Sequence, residues 1–213
     1  IQAKAYYRSL TENFANNATS SFTPGQTRYG ASAIAKLTDS TSFNLGYDRE
    51  DNFGITPATR SQFFDLFNPQ PQPTPGSRVD NKLTTIRAGI QQKLGESSEL
   101  GIEYVNRSRE DKISNQFDSN ASQLVSHLNV PLSNALTFRA QNELNLGDSD
   151  ILYPNRTTVG LDWALYPGVT MRLAHQFYDA GLLKGNSITS LDTILDRKLS
   201  ENTNITGRYS ILS

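Results

Sequence analysis

Two histidines, twenty-one carboxylates and no cysteine are the groups from which this 213-residue chain could build reactive chemistry. Without cysteine there is no thiolate nucleophile, no disulfide framework and no thiolate metal site. Ser126 adjoins His127, the residue types of a nucleophile and its base. Neighbours on a strand point to opposite faces, however, so the two cannot be partners. His127 falls on the more polar face of its segment and His175 on the more apolar one. The carboxylates are scattered among Lys and Arg, which reads as a cross-strand ionic ladder rather than a paired acid and base. Asp148-Ser149-Asp150 opens like a calcium loop but lacks the downstream Gly and Glu, and no phosphate loop or zinc spacing occurs. The Asn-x-Ser/Thr sequons, at Asn17 and Asn155 for instance, are expected by chance in so Asn/Ser/Thr-rich a chain. These patterns predict no enzyme, no metal and no cofactor. With 20 Lys and Arg against 21 Asp and Glu, the chain also lacks the basic footprint of a nucleic-acid binder.

The elements that must carry these groups are legible from a period of two. Thr27 to Leu37 and Ser42 to Arg49 alternate about a polar turn at 38–41. Thr84 to Leu94 and Leu100 to Arg107 do so about 95–98. Leu124 to Val130 and Leu136 to Ala140 flank 131–134, Val159 to Leu165 and Val169 to Leu173 flank 166–168, and Leu191 to Leu195 and Ile205 to Tyr209 flank a turn near 200–203. With Ile1 to Leu10 the expectation is about eleven strands in one domain over 1–213. The remaining connections are longer: 12–26, 50–80, 107–119, 147–155 and 178–186. Short turns therefore alternate with long loops. No apolar run reaches the roughly 18–20 residues of a membrane helix, and the opening IQAKAYYRSL lacks the apolar core of a signal peptide.

Each strand has one apolar and one polar face. Arg28, Lys36, Asp48, Arg87, Lys93, Glu103, Arg107, Arg139, Glu143, Asp162 and Arg172 share the polar register. Arg or Lys on a lipid-facing midplane position costs roughly 2–4 kcal/mol, so this face would line a hydrated lumen. On the apolar register, Tyr29, Tyr47, Tyr104, Phe177 and Tyr209 sit toward the long loops, while Phe43, Phe138 and Trp163 sit toward the short turns. Two aromatic levels with Ala, Leu, Ile and Val between them suit the two interfaces of a bilayer.

In these features, segments such as TRYGASAIAKLTDSTSFNLGYDRED and KLTTIRAGIQQKLGESSELGIEYVNRSRED resemble adjacent staves of Gram-negative-type outer-membrane β-barrel proteins. The style is similar to the barrel part of very large envelope proteins. The resemblance implies an all-β, antiparallel up-and-down transmembrane barrel, or a large arc of one, in a bacterial outer membrane with the long loops near 12–26 and 50–80 extracellular. It implies the lipid bilayer as partner, together with other envelope proteins or further strands of a longer chain. Two features depart from it: an odd strand number, where single-chain bacterial barrels have an even one, and a close on Tyr209-Ser-Ile-Leu-Ser213 in place of a terminal aromatic signal. A strand missed inside 50–80 is one explanation of the first. The expected function is a pore or translocation conduit with a mixed-charge lumen. The alternatives are a structural or adhesive membrane anchor and a soluble β-rich surface module. Phe63, Phe64, Leu66 and Phe67 form the one apolar cluster outside the strands. A short helix packing on its own loop is the expectation, with a docking patch or a lumen plug as alternatives, and Pro69, Pro71, Pro73 and Pro75 stiffen the stretch of chain after it.

Overall fold

The computed structural model describes residues 1–11, 25–56, 65–67, 76–148, 150, 152–180, 183–200 and 203–213. These form eleven strands: β1 (Gln2–Leu10), β2 (Gln26–Lys36), β3 (Thr41–Ile55), β4 (Arg78–Leu94), β5 (Ser98–Asp111), β6 (Ser119–Pro131), β7 (Leu136–Asn145), β8 (Arg156–Tyr166), β9 (Val169–Tyr178), β10 (Ser187–Ser200) and β11 (Thr203–Leu212). All eleven make one antiparallel sheet in chain order, each strand beside its sequence neighbour. Two of the short turns are built by hydroxyls that replace a strand's missing partners. Thr38 Oγ1 accepts the amides of Ser40 and Thr41 at 3.2 and 2.9 Å, and Ser133 Oγ accepts those of Ala135 and Leu136 at 3.2 and 3.1 Å.

Two expectations need correction. The sheet is not closed: among the described residues β1 pairs only with β2, and β11 only with β10. The 50–80 connection is also shorter than expected, because β3 runs on to Ile55 and β4 begins at Arg78, paired throughout. That stretch holds Asp51, Asn52, Asp80 and Lys82, so both faces are polar and the alternation that marks a strand disappears. No extra strand occurs there among the described residues.

The register is staggered. The paired row through Phe43, Ile90, Ile102, Ser126, Asn142 and Thr157 reaches Phe177 and continues to Ser187. It passes Phe43 two residues above the start of β3 but Phe177 eight residues above the start of β9, six strands farther on. That is about one residue per strand. With roughly 3.3 Å per residue and 4.8 Å between strands, the strands tilt by about 35°, inside the range that lets a sheet roll into a barrel.

Candidate functional site

The pairing register puts every residue of the expected ionic set on one face of the sheet. Burial follows that face against the usual sense. Gln26, Asn52, Gln123, Glu143, Arg156, Thr158, Gln176 and Asp192 are all buried, and all lie on it with Val105, Val125 and Ala174. A curled sheet crowds the side chains on its inside, so the asymmetry marks the polar face as the inner one.

There several of the charges pair across strands. Arg28 donates to Asp48 through Nε and Nη2 at 3.1 and 3.0 Å, and lies 3.9 Å from Glu50. Asn44 donates to Glu103 at 3.0 Å. Arg139 and Arg172 approach Asp162 at 3.4 and 3.8 Å. Arg156 grips Glu143 with two bonds of 2.9 and 2.7 Å, both side chains almost fully buried. Arg208 and Ser210 donate to Asp192. Sequence reasoning missed Arg156, Asp192 and Arg208, although parity places them in the same register once β8, β10 and β11 are drawn to full length.

Residues from two of the connections also lie on this face. Tyr153, buried in the β7–β8 connection, stacks on Arg107 with the guanidinium 4.9 Å from its ring centre, and its carbonyl accepts from Gln123 at 3.1 Å and Asn145 at 2.9 Å. Burial pushes the Tyr153 hydroxyl above its ordinary pKa, opposed by Arg107. Phe67, from the β3–β4 connection, lies over Arg139 at 4.0 Å, and its carbonyl accepts from Gln141 at 2.9 Å. Its ring occupies the space a side chain on Gly160 would need: a Cβ there would sit 2.9 Å from a Phe67 ring carbon. Phe67 thus packs on β7 and β8, and Leu66 beside it is buried. Phe63, Phe64 and the four prolines from Pro69 to Pro75 lie outside the described residues, as does Asn17. No local pattern announces such long-range contacts.

The histidines separate as the register requires. His127 lies on the inner face, its ring filling the space beside Gly101. His175 lies on the outer face, 2.9 Å from Thr189 Oγ1. Among the described residues no group of three or more His, Asp or Glu could hold a metal ion, and no helix is long and apolar enough to cross a membrane, which bears on helices alone.

The outer face is the converse. Phe43, Leu45, Tyr47, Ile86, Ile90, Ile102, Tyr104, Trp163, Leu173, Phe177, Tyr209 and Ile211 are all exposed on it. On β4 from Thr84 to Leu94, and on β5 from Ser98 to Ser108, no outward position is charged. Ten residue steps at that tilt rise roughly 27 Å. Outward charges gather beyond this belt at the long-loop ends, as Arg49 with Asp51 (3.5 Å) and Lys82 with Glu110 (3.7 Å), joined there by Lys112 with Asp80 (2.8 Å); Arg197 is the exception, near the β10–β11 turn. The hydrogen bond to Asp80 holds the Lys112 ammonium above its ordinary pKa. Beyond the belt too, burial would raise the Asp111 carboxyl, but Arg109 and the amides of Ser114 and Ile113 outweigh it and hold it below 3.8. Counted from the short turn, Tyr47, Tyr104 and Tyr209 lie six residues up their strands, Tyr29 seven and Phe177 eight; Phe43 and Phe138 lie two up, and Trp163 three.

No protein-family model, curated protein or solved structure matches the chain. Its function is therefore read from the chemistry of the two faces.

Proposed function

We propose that this sheet is the wall, or a large arc of the wall, of a β-barrel in a bacterial outer membrane, with its polar face lining a water-filled pore or translocation conduit. One observation carries the reading: the sheet is inside out. Its buried face holds paired ions and amides, and on β4 and β5 its exposed face holds an uncharged, largely apolar stretch about as tall as the roughly 25 Å band of outer-membrane barrels. A soluble protein rarely exposes a contiguous apolar patch beyond a few hundred Å². The two aromatic levels fit two bilayer interfaces, and the strand tilt fits a rolled sheet. The long loops face the cell exterior, the bilayer is the principal partner, and the two open edges are places for further strands or other envelope proteins.

A structural anchor is the second reading. It is favoured by the ion pairs among the inner charges and by Phe67 and Tyr153, which lie over two of the arginines. Reconstitution separates the two. Purified protein that inserts into lipid vesicles and gives discrete conductance steps in planar bilayers is a pore. Insertion without any conductance makes it an anchor. A protein that stays monodisperse without detergent and ignores vesicles is neither.

A further inference from the structure

Phe67 is held on the inner face by two built brackets. Gln141 Nε2 donates to the Phe67 carbonyl at 2.9 Å and to Glu143 at 2.8 Å, and Glu143 is itself fixed by the twin bonds from Arg156. Under the ring, Arg139 is steadied by Asp162. Asp65 accepts the Phe67 amide at 3.0 Å, tightening the turn, and Leu66 is only 1% exposed. Gln141 and Arg139 are thus each oriented by a buried or half-buried carboxylate, which a loop resting casually on a surface does not require. The contact is also deep. Arg139 and Gln141 lie three and five residues above the short-turn end of β7, and Gly160 six above that of β8. That is the middle of the belt, far from the ends of β3 and β4 from which the loop departs. Tyr153 repeats the arrangement near the long-loop rim, with Arg107 under the ring and Gln123 on the carbonyl.

From this geometry we propose that Leu66 and Phe67 are an internal strap that narrows the lumen at mid-depth, latched by Arg139 and Gln141. The proposal rests on the polar face being a lumen. An aromatic ring over a guanidinium gains when both are withdrawn from water, so the latch is strongest where the strap covers it. Ions pass beside the strap, and releasing it widens the passage.

The chain has no cysteine, so thiols can be placed cleanly. Phe67→Cys with Gln141→Cys, two positions already in contact, is reconstituted in vesicles and treated with a short bis-methanethiosulfonate cross-linker that dithiothreitol cleaves. Single-channel conductance is then compared for wild type, linked protein, the same protein after reduction, and Arg139→Ala with Gln141→Ala. Efficient linkage is expected, with linked protein conducting no more than wild type and the released variant about twofold more, as the cross-section grows. Failure to link in folded protein overturns the strap. Linkage with equal conductance in all forms overturns the constriction and leaves the pore. Linkage with no conductance from any form, wild type included, overturns the pore and the constriction with it.

Discussion

Ile102→Arg puts a guanidinium at the centre of the outer belt. Ile102 lies on β5, four residues from Ser98, between Ile90 and Ser126 in the paired row, and is 48% exposed. If that surface faces acyl chains, the substitution costs about 2–4 kcal/mol, whereas near an interface the same charge costs roughly 0–1 kcal/mol. Thr84→Arg supplies the interfacial comparison, since Thr84 pairs with Arg49 at the edge of the belt. The expected gap between the two variants is therefore about 2–3 kcal/mol. A soluble sheet gives a different answer, because a half-exposed surface position away from special features usually moves stability by about 0.5 kcal/mol in either direction. The assay is urea unfolding of vesicle-inserted protein, followed through the emission of Trp163, the single tryptophan, itself on the outer face. Leu161→Arg should behave like Ile102→Arg, and Arg139→Ser on the inner face should still assemble. Equal behaviour of Ile102→Arg and Thr84→Arg, or no loss from either, would refute the assignment of this face to lipid.

Arg156→Ala should cost about 3–5 kcal/mol in the same urea titration, because it leaves the Glu143 carboxylate buried without its counter-ion; the double change with Glu143→Ala should recover part of that. Gly25→Ala should lower stability by about 1–3 kcal/mol, since Gly25 has a φ of +79° and a Cβ there would collide with the Phe53 carbonyl; unchanged thermal unfolding would count against the described β2–β3 end. For Asp111 the folded carboxyl titrates below its unfolded value, so its stabilisation is present above the usual carboxylate range and is lost as pH falls through the lowered folded pKa. Hydrogen exchange at the Ile113 and Ser114 amides, which Asp111 accepts at 3.0 and 3.1 Å, should stay protected through mildly acidic pH and lose protection only below that range, whereas Asp111→Asn should weaken it at neutral pH.

The eleven strands and the facing of their side chains were legible in the sequence because each strand carries unlike surroundings on its two sides. Phe43, Leu45 and Tyr47 against Asn44, Gly46 and Asp48 is the clearest instance. Where that contrast ends, legibility ends with it: β3 beyond Arg49 and β4 before Thr84 are as regular as the rest but polar on both sides. The latch of Phe67 was illegible for another reason. Gln141, Arg139 and Gly160 lie some seventy to ninety residues away in the chain, and nothing in the Asp65-Leu66-Phe67 triplet itself names them. Closure was illegible because alternation is a property of single strands, whereas closing a sheet is a relation between its first strand and its last.

Those two strands impose a rule of their own. In an unbroken antiparallel order β1 and β11 run in the same direction, so they cannot zip to each other with antiparallel bonds. Any antiparallel wall that joins them must contain an odd number of intervening strands, whichever chain provides them, bringing the circuit to an even total. A direct seam between them would be parallel, with slanted, evenly spaced bonds unlike every other junction in the sheet. Amide-I dichroism or isotope-edited spectroscopy of labels in β1 and β11 would read that seam directly.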